Sequence, residues 1–130
     1  MKWRNIVFMT GVLVLLLSSP VASQDWLGIK DPNELRALHS NKTFKCHLRE
    51  TPYVEHYRAD GKGMLVYSAA HRLACTWEVK GNDQVCVSDE TGTNCYQFQR
   101  NRMHLEEFAR RNVRDHYMVI FKVEDGIPGF

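Results

Sequence analysis

Hydrophobic and polar residues alternate with a period of two along most of this chain, the pattern of strands with one buried and one wetted face. The clearest case runs from Leu73 to Lys80: Leu73, Cys75, Trp77 and Val79 fall on one side, and Ala74, Thr76, Glu78 and Lys80 on the other. Phe44, Cys46 and Leu48 alternate in the same way with Thr43, Lys45, His47 and Arg49. An extended run from Tyr53 to Arg58 enters the turn Ala59-Asp60-Gly61-Lys62-Gly63, whose glycines accept the positive φ of tight hairpins. Met64 to Ser68 form the return strand. Gly81-Asn82-Asp83 reverses the chain into Val85-Cys86-Val87, and a polar loop from Ser88 to Asn94, with Gly92 at its tip, returns through Cys95-Tyr96-Gln97-Phe98. Tyr117, Val119, Phe121 and Val123 then alternate with His116, Met118, Ile120 and Lys122. Both faces of this last strand are apolar near its middle, which predicts a central or covered position.

Two stretches carry helical signals instead. Asp31-Pro32 followed by Asn33 to His39 combines a capping Asp, proline in the first turn and the acidic Glu34, so one short helix is expected there. From Arg102 to Arg111, Leu105, Phe108 and Ala109 have helical spacing, which predicts a second short helix. Six or seven strands joined by hairpin turns, with few helices, give a mainly β fold. The expected architecture is a small antiparallel meander curled into a half or full barrel, with a short N-terminal helix.

Residues 1–23 stand apart from this pattern. Lys2 and Arg4 precede an uncharged apolar run from Ile6 to Leu17, and Val21-Ala22-Ser23 supplies small residues at a peptidase site, so the segment reads as a cleaved signal peptide. The run has 12 residues, short of the roughly 20 that a permanent membrane span needs, and no stable membrane insertion is expected. Residues 24–130 then form a single exported domain, periplasmic or secreted.

Charge narrows the partners. The chain has 17 Lys and Arg against 15 Asp and Glu, and loss of Lys2 and Arg4 brings the two counts level. A neutral domain lacks the field that gathers phosphate backbones, so no nucleic acid partner is expected. Four cysteines, Cys46, Cys75, Cys86 and Cys95, form the even set of a disulfide framework and allow three pairings. A hairpin would return Cys95 toward Cys86, and Cys46 and Cys75 both fall on apolar strand faces where they could meet. Two structural bridges are expected. The close C-x-x-C spacing of a redox or zinc pair is absent.

Six histidines are scattered without the i, i+4 or H-x-H spacing that places two imidazoles on one face, so no metal and no cofactor are expected. Only His47 and His56 could be brought side by side by a hairpin. There is no local nucleophile motif, which leaves an enzyme with a dispersed site as the weakest reading. Between Arg100 and Arg114 lie five arginines, Arg100, Arg102, Arg110, Arg111 and Arg114, against Glu106 and Glu107. Such a segment could dock carboxylates on a protein partner, since guanidinium groups bind them through paired hydrogen bonds. Trp77, Tyr57, Tyr67, Tyr96 and Phe98 would line a barrel pocket for a small apolar ligand, or simply fill the core.

The sequence Tyr57-Arg58-Ala59-Asp60-Gly61, followed by Trp77-Glu78-Val79, Val85-Cys86 and Cys95-Tyr96, resembles a family of small exported bacterial proteins of uncharacterised function. Its members share an early helix, a tyrosine before an acidic-glycine turn, a tryptophan strand and two cysteines flanking a short loop. The resemblance covers residues 34–98 and implies a periplasmic β-rich domain in which Cys86 and Cys95 are paired. It brings no catalytic residues, and Cys46, Cys75 and the charged segment after Phe98 lie outside it. The expected function is a protein-binding, inhibitor or envelope accessory module, with an unidentified protein partner in the cell envelope or secreted space. A carrier of a small apolar ligand is the alternative.

Overall fold

A computed structural model describes residues 25–130; the expected signal peptide lies outside the described residues. The elements are β1 (Trp26–Ile29), α1 (Pro32–His39), β2 (Lys42–Leu48), β3 (Thr51–Tyr57), β4 (Lys62–Ser68), β5 (His71–Lys80), β6 (Gln84–Asp89), β7 (Gly92–Asn101), β8 (Glu107–Asn112) and β9 (Met118–Asp125). Strands β2 to β7 form an antiparallel meander, β9 pairs with β2, and β8 bridges β9 to β7, which closes an eight-stranded barrel. The ninth strand, β1, lies alongside β7 where β6 stops: β6 occupies Gly92 to Gln97, and β1 occupies Phe98 to Asn101. Closure removes the open edges that a curled half-barrel would leave. Among the described residues no helix is long and apolar enough to cross a membrane.

The helix forms as its caps dictate. Asp31 stays extended and its carboxylate accepts from the Asn33 N–H at 3.0 Å; at the other end the Ser40 N–H and hydroxyl both donate to the Arg36 carbonyl. Asn41, with φ of 58°, then turns the chain into β2, a conformation that asparagine tolerates better than most residues. Leu35 and His39, one turn apart, are the buried face of α1. They plug one end of the barrel, against Phe44, Tyr57, Trp77 and Phe98.

Alternation assigns the interior. Phe44 and Cys46 from β2, Tyr53 and Tyr57 from β3, Leu65 from β4, Cys75 and Trp77 from β5, Val85 and Val87 from β6, Phe98 from β7 and Phe121 from β9 make one core. Gly63 on β4 is required by close approach: a Cβ there would sit 2.7 Å from Cys75 Sγ and 2.8 Å from the His56 carbonyl. Gly61, with φ of 91°, makes the β3–β4 turn, and its carbonyl accepts from the Trp77 N–H.

Three expectations are corrected, and a fourth holds. The second helix is absent, because residues 102–106 turn and residues 107–112 form β8. Asn101 Oδ1 holds that turn by accepting from the N–H groups of Met103 and His104. The helical spacing of Leu105, Phe108 and Ala109 masked a period of two in which Phe108, Arg110 and Asn112 face inward. Strand β9 is central, as expected, paired with β2 and β8, and its outer face is open to solvent: Met118 is 47% and Ile120 56% exposed. His47 lies opposite Pro52 and His56 opposite Thr43, so those two imidazoles do not meet. Finally, Cys46 and Cys75 are free buried thiols on strands separated by β3 and β4, and the expected second bridge is not formed.

Candidate functional site

The barrel interior is built in three levels between the helix plug and the opposite end. At the plug, His39 is fully buried in a box of four rings, stacked on Trp77 at 5.2 Å and edge-on to Phe98 at 4.9 Å. Its Nδ1 lies 2.8 Å from the Leu35 carbonyl and must donate to it, which leaves Nε2 as an acceptor without a partner. Burial drives its pKa down to about 4, so the ring is neutral. Trp77 is fixed here as well, its Nε1 donating to the Arg58 carbonyl at 2.8 Å.

The middle level is a buried ion pair. Glu55 is 3% and Arg110 5% exposed, and the guanidinium engages the carboxylate through both terminal nitrogens, with Nη2 to Oε2 at 2.7 Å. Tyr57 donates its hydroxyl to Glu55 Oε1 at 2.7 Å, and the Arg110 guanidinium lies over the Tyr96 ring, 4.5 Å from its centre. Burial alone would raise the Glu55 pKa; the charge and hydrogen bonds of Arg110, with the Tyr57 hydroxyl, overcome it and hold the carboxyl below its ordinary range. Arg110 remains protonated, and burial followed by the nearby carboxylate pushes Tyr57 well up. One donor, Arg110 Nε, has no partner.

Beyond this level the barrel opens. A pocket of about 770 Å³ at the end opposite α1 is lined by Leu48, Arg49, Thr51, Tyr53, Tyr67 and Leu73, with His71 and Thr91 at its edge. The Tyr53 and Tyr67 rings are 5.2 Å apart, and Tyr67 continues to His71 at 5.1 Å, giving an aromatic wall. This mouth is where an apolar or aromatic body can be received. Its volume falls within the few hundred to about 1,000 Å³ of small-molecule sites.

The residues expected from sequence are distributed unevenly over this frame. Tyr57 and Tyr96 belong to the buried level and Trp77 to the plug, so none of the three lines the mouth; Tyr67 does. The arginines do not form one docking patch. Arg110 is buried, the reverse of what docking needs. Arg100 pairs with Glu34, Arg111 Nη2 donates to Gln97 and Arg114 Nη2 to Asn94, while Arg102 is exposed in the turn before β8 and its N–H donates to the Asp25 carbonyl. Cys86 and Cys95 face each other directly across β6 and β7 and are joined, with Cα atoms 4.0 Å apart. Lying between inward Val85 and Val87, Cys86 places this bridge on the outer side of the sheet.

Three residues of this candidate site escaped the sequence reading: Glu55, the mouth's Tyr53, and His39. The signal for Glu55 was present, since it falls in phase with Tyr53 and Tyr57 on an otherwise apolar face, as Arg110 does with Phe108. Two opposite charges on apolar faces announce a buried pair.

Burial pushes the Cys46 and Cys75 thiols up to about 12, so both stay protonated and unreactive. Thr43 Oγ1 lies 2.8 Å from His56 Nδ1, but the hydroxyl donates to the Gly126 carbonyl, so the imidazole is the donor to Thr43 and cannot act as its base through that nitrogen. Among the described residues no group of three or more His, Cys, Asp or Glu is placed to hold a metal ion. Comparison with family models, with curated proteins and with solved structures returns no match.

Proposed function

We propose that this chain is an exported binding barrel that receives a small amphipathic molecule through its open end. The observation that carries the reading is the mouth of about 770 Å³, walled by Tyr53, Tyr67, Leu48 and Leu73, in a barrel whose opposite end α1 has plugged. It modifies the carrier reading, because Trp77 and Tyr57 are locked in the core and the ligand sits further out. The Cys86–Cys95 bridge supports a periplasmic or secreted setting, where disulfides persist. The neutral fluorophore N-phenyl-1-naphthylamine tests it: emission should rise on adding the disulfide-bonded protein and fall back in Leu73→Arg and Tyr67→Ala. An unchanged response in both variants, with melting temperatures preserved, would remove the mouth as the site.

A protein-docking surface is the second reading, and it rests on Met103 and Leu105, large apolar side chains held in solvent beside Arg102. It no longer rests on Arg110. A partner captured by the native protein and lost by Met103→Ser/Leu105→Ser would favour this reading over the mouth.

A further inference from the structure

Leu48, which ends β2, and Arg49, which begins the turn to β3, divide the mouth into an apolar wall and a charged lip. Leu48 is in phase with the inward-facing Phe44 and Cys46, yet it is 50% exposed, an inward apolar side chain left without cover. Arg49 also lines the mouth and is the one residue of its wall with a fixed charge. It is exposed, and its side chain makes no hydrogen bond or ion pair with any described residue. Elsewhere on the surface, Lys42, Lys45, Arg58 and Arg100 each pair with a carboxylate. We infer that the mouth takes a carboxylate amphiphile, whose apolar body lies against Leu48, Tyr53, Tyr67 and Leu73 and whose carboxylate is held at the lip by Arg49. This rests on the binding reading above and adds the chemical class of the ligand.

The class follows from the lip. A guanidinium gives a carboxylate two parallel charge-assisted hydrogen bonds, whereas an alcohol uses only part of that fork and an ammonium is repelled. A long arginine stem can lie along apolar surface while its head stays in water, which suits a residue at the edge of an apolar wall. Acidic groups stand near this end but not in the wall: Glu50 follows Arg49 in the turn, and Glu90 is exposed in the turn from β6 to β7. The Asp89 carboxylate is occupied by the Thr91 N–H and hydroxyl. Arg49 also has a φ of 59°, a left-handed conformation that glycine adopts at less cost, so the geometry of the turn does not call for arginine.

Dodecanoate, dodecanol and dodecylammonium share one chain and differ in head group. Each is used to displace N-phenyl-1-naphthylamine from the disulfide-bonded protein, at low salt, below micellar concentrations and in mildly alkaline buffer, where dodecanoate is ionised. Dodecanoate should compete at least about threefold more tightly than dodecanol, with dodecylammonium the weakest, and added sodium chloride should narrow the gap. Arg49→Gly removes the cation and gives the turn the residue its φ favours. Its thermal midpoint should therefore hold or rise while the gap between dodecanoate and dodecanol closes, and Arg49→Lys should keep most of that gap. Equal competition by dodecanoate and dodecanol in the wild type, a gap that survives Arg49→Gly, or tightest binding by dodecylammonium would each overturn the head-group assignment and leave the mouth standing. Fluorophore emission unchanged by the wild-type protein would remove the mouth reading and this inference together.

Discussion

Glu55 and Arg110 meet inside the barrel from strands that have two others between them, each the one charged residue on the inward face of its strand. Their pairing fixes how β3 and β8 face each other, because neither charge is tolerated there alone. Removing one partner strands the other in the core, so Glu55→Leu or Arg110→Met should each destabilise by about 3–5 kcal/mol. The double replacement Glu55→Leu/Arg110→Met should destabilise by less than either single change, since a well-packed apolar pair lacks the desolvation penalty. Urea unfolding of the four proteins measures this; additive losses would show that the two charges are not coupled.

Acid should loosen the plugged end. His39 has a pKa of about 4 in the fold against 6.5 when solvated, so between these values the unfolded chain binds more protons. Its contribution is complete above pH 6.5 and falls as pH is lowered, by about 3 kcal/mol once pH 4 is passed. Burial and then Arg72 lower the His56 pKa in the same sense, which adds a smaller slope. Glu55 acts in a lower window: its folded pKa lies below 4.5, so its stabilisation is present above that value and is lost as pH falls through the folded one. His39→Leu should therefore flatten the stability profile between pH 6.5 and 4 and leave the steeper loss below it. A profile unchanged by the substitution would show that His39 is not the residue that titrates.

The helix, the Leu73–Lys80 strand and the Cys86–Cys95 hairpin were all legible in the sequence, because caps, turns and a strict apolar phase act locally there. The misreadings around Glu55 and Arg110 share one cause. A charged residue facing inward breaks the binary pattern, so Arg110 turned β8 into an apparent polar helix and an apparent docking patch. Its partner Glu55 is remote in the chain, and no local window contains both. His39 was hidden for the converse reason, since a histidine at the end of a polar helix looks solvated until the barrel closes over it. Strand β1 has four residues and pairs only with β7, too short for any period to declare itself.

Thiol chemistry separates one bridge from two. The native, unreduced protein should resist alkylation, because Cys46 and Cys75 are buried and protonated; in denaturant without reductant it should take up two labels. Intact mass spectrometry reads the count, and no label in denaturant would mean a second disulfide. Cys86→Ser/Cys95→Ser should cost about 2–3 kcal/mol by the loop-entropy relation.

Gly63→Ala should be among the most damaging small substitutions. The added methyl meets Cys75 Sγ and the His56 carbonyl well inside van der Waals contact, which overpacks the β3–β4–β5 seam by about 1–3 kcal/mol or more. Adding Cys75→Ala should recover only part of the loss, because the backbone carbonyl stays in place. Full recovery, judged from thermal midpoints, would assign the whole clash to the sulfur.

The open mouth is tested most directly by native mass spectrometry of the protein recovered, unreduced, from the cells that make it. A discrete small-molecule adduct on the wild-type chain, missing from Leu73→Arg recovered in the same way, is the expected result. Equal, bare masses for both proteins, with neither taking up a neutral aromatic probe, would contradict a ligand site in the barrel.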